Sequence, residues 1–301
     1  MGPEKTLTKV RLQDTYDTID YYRLQGYSVV ELCNEFDVSR SGYYKNKNRV
    51  KPNKEKQDEV LCSLINDYNT TYDGILGYRR MTMFINKFNQ TSYSEGYIHR
   101  LMRFTGIKAR IRRKKVNRKR TKPDYIQENI LARDFKSTKP NQKWLTDVTE
   151  FSIPKDKRKL YLSPILDLYD NSIVEYELSF SNNNRLVFKM FDRAIKKHPG
   201  AKPIFHSDRG FQYTNRPFKT KIEKANMTQS MSRVGKCIDN GPMEGFFGIL
   251  KSEMFYDKKF KSMDELIQKI HDYIKFYNEK RLQKRLECLA PIEYRNQALV
   301  S

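Results

Sequence analysis

The sequence is poor in the residues that build soft-metal and disulfide centres. Its 301 residues include only four cysteines and four histidines. Cys33, Cys62, Cys237 and Cys288 form no CxxC pair, and His99, His198, His206 and His271 are equally dispersed. That scatter argues against a zinc module or a disulfide framework and fits a reducing, cytoplasmic compartment. No apolar run approaches the roughly 18–20 residues of a membrane-spanning helix. No charged-then-apolar leader opens the chain, and "MGPEKT" meets a myristoylation pattern only formally. Acidic residues are scarce beside basic ones, 36 against 58, for a net charge of +22. So large an excess implies a polyanionic partner, and with the membrane unsupported that partner is nucleic acid.

Residues 1–107 read as basic and all-helical. In "SVVELCNEFDVSRSGYYKNKNR" (28–49), Val30, Leu32, Cys33 and Phe36 supply an apolar face. Val38 enters a turn, and Ser39 is placed to cap a second helix. In a helix-turn-helix, that second helix carries Arg40, Ser41, Tyr43, Tyr44 and Lys45 toward DNA; an ordinary helical hairpin fits the same pattern. "KPNKEKQ" (51–57) reads as a polar linker. Beyond it, Leu61, Leu64, Ile65 and Tyr68 form one stripe. "GYRRMTMFINKF" (77–88) and "SEGYIHRLMRFTG" (94–106) read as two more helices, with Gly106 as a stop. Arg79, Arg80, Arg100 and Arg103 lie on or beside them as candidate DNA contacts. The block "KARIRRKKVNRKRTK" (108–122) holds ten Lys or Arg and no acid. It cannot pack against itself, so it reads as a linker whose Arg112, Arg113, Lys114 and Lys115 meet a phosphate backbone.

From "QKWLTDVTEF" onward the period becomes that of a strand, with Trp144, Thr146, Val148 and Glu150 on one face and Leu145, Asp147, Thr149 and Phe151 on the other. "KLYLSPILDLYD" and "SIVEYELSF" follow as a hairpin or meander turning at Asp170–Asn171. "NRLVFKMFDRAIKKH" reads as a helix, "KPIFHSD" as a short buried strand, "NRPFKTKIEKANM" as a helix, "TQSMS" as a strand or loop, and "NGPMEGFFGILKSEMFY" (240–256) as one long helix. The sum is a mixed α/β layer domain.

Three acids stand out in it. Asp147 falls inside the first strand, Asp208 ends the fourth, and Glu244 opens the long helix beside an apolar stripe of Met243, Phe247, Leu250 and Met254. Lys251 follows Glu244 on nearly the same helical line, a candidate DNA contact where a phosphate backbone would meet a metal. Each acid has a bland reading: Glu244 as part of a capping box with Asn240 or Gly241 as cap, Asp208 as a turn residue, Asp147 as a buried carboxylate that needs a partner. Together, on a basic protein, they suit a divalent ion. Phosphodiester cleavage needs a strong nucleophile at neutral pH and charge relief on the leaving oxygen. Two metal ions about 3.5–4 Å apart supply both. Hard ions such as Mg²⁺ take oxygen ligands and keep several waters.

At these residues the sequence resembles the DDE transposases of bacterial insertion sequences, specifically the OrfB-type product of the IS-three family. "KPNQKWLTDVTEF", "KLYLSPILDLYD", "HSDRGFQY", "TQSMSRVGKCIDNGPMEGFFGILKSE" and "FYNEKRLQKRLECLAPIEY" follow that family in order, and 35 residues separate Asp208 from Glu244. The resemblance implies an RNase H-like mixed sheet with flanking helices, the integrase catalytic core, preceded by an all-α helix-turn-helix-type region. It implies Asp147, Asp208 and Glu244 as catalytic acids that bind Mg²⁺ or Mn²⁺, with two ions per site. It further implies nicking at the element's ends, strand transfer by the freed 3′-hydroxyl, a homo-oligomer on DNA, and an upstream-frame (OrfA-type) partner product. The expected organisation is a helix-turn-helix-like segment at 1–50, a second helical domain at 51–107, the basic linker at 108–138, the core at 139–260, and a C-terminal helix and tail at 261–301. One departure is "DNGPMEGFF", where Gly241–Pro242 and Gly245 replace the family's usual residues. A catalytically inactive DNA-binding derivative and a general RNase H-like nuclease are the competing expectations.

Overall fold

The computed structural model describes residues 3–50, 52–109, 127–154, 156–233 and 237–300. The chain divides into two compact units, Met1–Ser63 and Leu64–Ser301. In the first, α1 (Pro3–Leu24), α2 (Val29–Glu35) and α3 (Arg40–Lys47) enclose a small core of Ile19, Leu32, Cys33 and Tyr43. Ser28 caps α2 and Ser39 caps α3, whose Oγ accepts from Gly42 N at 3.1 Å; the turn between the helices passes through Asp37 at φ +52°. Of the stretch expected as a polar linker, residues 53–57 are helical. α4 (Asn53–Thr71) starts there, directly after Pro52, with Glu55 in its first turn where the helix dipole favours an acid.

In the second unit, α5 (Tyr78–Asn89) and α6 (Glu95–Phe104) pack together through Met81, Phe84 and Ile85 on one side and Ile98, Leu101 and Met102 on the other. Ser94 caps α6, and Gly106, at φ +75°, ends it. The mixed sheet then follows: β1 (Lys143–Thr146), β2 (Thr149–Phe151), β3 (Leu160–Asp167), β4 (Ile173–Ser179), and, after α7 (Asn184–Lys197), β5 (Ile204–Ser207). α8 (Arg216–Lys224), β6 (Thr228–Met231), α9 (Gly241–Leu250), α10 (Met263–Glu279) and α11 (Pro291–Val300) complete it. β3 lies between β4 on one side and β1 and β2 on the other, while β1, β5 and β6 run parallel. One core, with Trp144, Ile165 and Phe205, lies under α7 and α8; the other, with Leu145, Phe151 and Leu162, lies under α9 and α10. This is the expected fold class.

The strand expected to run unbroken through Asp147 is interrupted there. β1 and β2 pair with β3 in one continuous register, from Trp144↔Asp167 to Phe151↔Leu160, which sets Asp147 opposite Pro164. Leu168 N donates to Lys143 O at 3.0 Å, so the hydrogen-bonded pairs fall at 143 with 168, 145 with 166 and 147 with 164. Proline has no N–H to give Asp147. The ladder opens at the residue that carries the acid.

Two further expectations change. The helix expected over 240–256 is α-helical only to Leu250 and continues as a π-turn, Lys251–Phe255. The C-terminal tail is itself a helix, α11, whose Arg295 reaches the fully buried Asp167 and Asp170.

Candidate active site

Continuing the parallel register of β1 and β5, Trp144↔Phe205 and Leu145↔His206, brings Asp147 level with Asp208. Each is the first residue beyond its strand, at the carboxyl ends of neighbours about 4.8 Å apart. Leu145 belongs to the core beneath α9, and Asp147, two residues on, falls on the same side. Both acids are half-buried. Asp147 Oδ1 accepts from Val148 N at 2.7 Å, and Asp208 Oδ1 accepts from Gly210 N at 2.8 Å. The turn reading of Asp208 therefore holds as far as that bond goes. Glycine at 210 answers a need for space: a Cβ there would stand 3.0 Å from Asp208 Oδ1 and 2.8 Å from Gln212 Oε1.

Tyr213 lies beneath the pair. It is buried, and its hydroxyl is 3.2 Å from Thr146 Oγ1. Burial, then the Asp147 and Asp208 carboxylates, push its phenol well above the ordinary range. Sequence reading missed Tyr213; its only signal was an aromatic closing "HSDRGFQY".

Glu244 is half-buried in the first turn of α9, which packs on β1. Met243, Phe247, Leu250 and Met254 are all buried, as the stripe requires. The capping-box reading of Glu244 fails. Asn240 is the N-cap residue, and its side chain makes no capping bond. Glu244 is also one residue beyond the third helical position that such a box needs. Instead, Asn240 Nδ2 donates to Thr146 O at 3.1 Å, tying the start of α9 to the residue before Asp147. Gly241 and Gly245 do not prevent the helix, and a Cβ at either would meet nothing within 4 Å.

Among the described residues, no three acidic, histidine or cysteine side chains form a ready-made metal cage. The donors on offer are nevertheless of the right kind. Asp147, Asp208 and Glu244 give an all-oxygen set suited to a hard divalent ion. The nearest histidine in sequence, His206, is occupied: its ring nitrogens face Ser230 Oγ at 2.9 Å and Ser232 Oγ at 3.1 Å. Burial pulls its imidazole down to about 4.

The candidate DNA contacts separate into groups. Arg40, Ser41, Tyr44 and Lys45 are exposed on α3. Tyr43 is not available: it is wholly buried, and its hydroxyl donates to Asp20 Oδ1 at 2.5 Å. Arg79, Arg100 and Arg103 are exposed, with Arg79 over the Tyr78 ring and Arg100 over that of Tyr97. Arg80 instead turns inward to Glu253, 2.9 Å away in the π-turn, beside Arg281. Lys251 Nζ donates to Glu150 O at 2.9 Å and sits over the Phe151 ring. Arg112, Arg113, Lys114 and Lys115 lie outside the described residues. No helix among the described residues is long and apolar enough to cross a membrane.

Family models match along much of the chain: an HTH-like domain over residues 56–115 and integrase core domains over 137–237 and 244–299. The putative transposase InsK for insertion sequence element IS150 of Escherichia coli K12 is 40% identical over 275 residues, 91% of this chain and 95% of that protein. An uncharacterized transposase-like protein of Haemophilus influenzae is 42% identical, covering 67% of this chain and 93% of its own. Among solved structures, the HTLV-2 integrase catalytic core domain in complex with magnesium aligns at a TM-score of 0.43 and 17% identity, over 53% of this chain and 99% of that one.

Proposed function

On the premise that this chain belongs to the IS-three family of bacterial insertion-sequence transposases, we propose that it is a DDE enzyme in which Asp147, Asp208 and Glu244 are the catalytic, metal-holding acids. It cuts DNA at the ends of its element and joins the freed 3′-hydroxyl to a new phosphodiester. The observation that carries this reading is the level register of Asp147 and Asp208 at adjacent strand ends, beneath a helix that brings Glu244 and is tethered to Thr146.

Asp147, Asp208 and Glu244 would hold Mg²⁺ or Mn²⁺, two ions per site, and bound ions supply an activated nucleophile and relief of charge on the leaving oxygen. The chain's own residues do the rest. The strand ends fix the two aspartates by backbone bonds, and Gly210 keeps side-chain bulk off Asp208. The exposed cations of α3, α5 and α6, with the basic block 108–122, hold the phosphate backbone. The partners are the element's terminal repeats and target DNA, a second copy of the chain that brings the other end, and an upstream-frame product.

The test uses the purified chain, Mg²⁺ or Mn²⁺, and labelled DNA spanning both flanks of its gene. Specific nicks with 3′-hydroxyl ends, abolished in Asp147→Asn while DNA binding persists, are expected. Undiminished cleavage by that variant would sink the assignment, and binding without cleavage by the wild type would favour a DNA-binding derivative.

A further inference from the structure

We propose that Asn240 is a positioning residue for this reaction: it fixes the first turn of α9, and with it Glu244, against the seam where Asp147 and Asp208 meet. The inference rests on the reading of those acids given above. An asparagine at a helix N-cap ordinarily turns its side-chain oxygen onto the first free N–H groups of that helix. Asn240 does not. It is only 4% exposed, its Nδ2 reaches across to Thr146 O, and its Oδ1 is buried with no hydrogen-bond partner among the described residues. That arrangement forgoes the cap and strands an oxygen, which is unfavourable for stability alone.

The carbonyl it grips has a definite place. Ile204 N donates to Gln142 O at 2.9 Å, so along β1 the carbonyls of residues 142, 144 and 146 face β5. Thr146 O therefore lies on the β1–β5 seam, one residue before Asp147 and level with Ser207. Asn240 is the cap residue of α9, and Glu244, four residues on, lies in the first turn of that helix. The end of the helix anchored at the seam is thus the end that carries the third acid. Asp239, directly before it, is fully buried and holds the approach to the helix: its carboxylate accepts from Arg133 Nε at 2.7 Å, Arg233 Nε and Nη2 at 2.9 Å each, and Asn129 Nδ2 at 2.9 Å.

The experiment compares full-length wild type, Asn240→Ala and Asp208→Asn. Three quantities are read: the thermal midpoint, Mn²⁺ affinity from the electron paramagnetic resonance of free Mn²⁺, and the single-turnover cleavage rate in Mg²⁺. Asn240→Ala is expected to keep its midpoint and its DNA affinity, while Mn²⁺ binding weakens by about 10- to 100-fold and cleavage slows by a similar factor, as for other groups that orient metal ligands. A folded Asn240→Ala protein with wild-type Mn²⁺ affinity and rate would overturn the inference. Should that variant fail to fold, Asn240→Ser, too short to span to Thr146, is read by the same criteria. Wild type that neither binds Mn²⁺ nor cleaves, or Asp208→Asn that still binds it fully, would instead overturn the reading of the acids themselves.

Discussion

Asp167 and Asp170 are fully buried and share the guanidinium of Arg295, whereas Asp147 and Asp208 stand half-buried at strand ends and are held by backbone N–H groups. Glu253 belongs with the first set: it is buried in the π-turn with Arg281 Nη2 at 2.8 Å, Tyr273 OH at 2.9 Å and Arg80 Nη1 at 2.9 Å. The contrast separates two uses of one functional group. A carboxylate taken out of water needs a fixed countercharge. A carboxylate at the rim of a sheet keeps contact with water and has less need of one; in the proposed function Asp147 and Asp208 face a bound ion. Backbone N–H groups reach Asp167 and Asp170 too, so burial and the guanidinium are what separate the two sets, and the proposed function assigns the half-buried pair to chemistry.

The sharpest way to break this contrast is to neutralise each set in turn. Asp147→Asn, Asp208→Asn or Glu244→Gln should lower the cleavage rate by about a thousand-fold or more, on the order of 4 kcal/mol of transition-state stabilisation, with little change in the thermal midpoint. Arg295→Ala should do the reverse and destabilise the protein by about 3–5 kcal/mol, because it strands two buried acids. Denaturant unfolding measures this, and adding Asp167→Asn and Asp170→Asn should restore part of the loss.

A smaller effect is expected with pH. Burial works to raise the Glu253 carboxyl, but the Arg281 and Arg80 guanidiniums outweigh it and hold the group below the ordinary 4.5. A depressed acid contributes stability that is present above its unfolded value and is lost as pH falls through its folded one. The stability difference between wild type and Glu253→Gln, followed by thermal unfolding, should therefore shrink below about pH 4.5. The smallest change concerns α9. Since a Cβ at Gly245 meets nothing within 4 Å, Gly245→Ala should stabilise by up to about 1 kcal/mol, measured as a shift in the denaturant midpoint.

Much of this was legible in the sequence, for reasons that particular residues make plain. Caps such as Ser39 and Ser94, and stripes such as Met243, Phe247, Leu250 and Met254, are local and show in local pattern. The break at Asp147 was not legible from its own strand, because its cause is Pro164 in the facing strand. Tyr43 and Tyr44 are adjacent on one helix, and Tyr43 turns inward onto α1, where Ile19 and Tyr16 pack near it and Asp20 takes its hydroxyl. Arg80 reads as a surface cation until Glu253 is folded against it. The Arg295 contacts join residues more than a hundred positions apart and leave no trace in period or spacing. The spacing of Asp208 and Glu244 marked them as a motif, but the level register of Asp147 with Asp208 needed the sheet itself.

The claim that Asp208 is a metal ligand is tested most directly by changing the chemistry of the ligand. In Asp208→Cys a soft thiolate replaces a hard oxygen donor, and Mn²⁺ accepts sulfur far better than Mg²⁺ does. The account predicts that this variant cleaves end-containing DNA with Mn²⁺ and not with Mg²⁺, while wild type cleaves with both. Equal cleavage by the variant with either ion would contradict it.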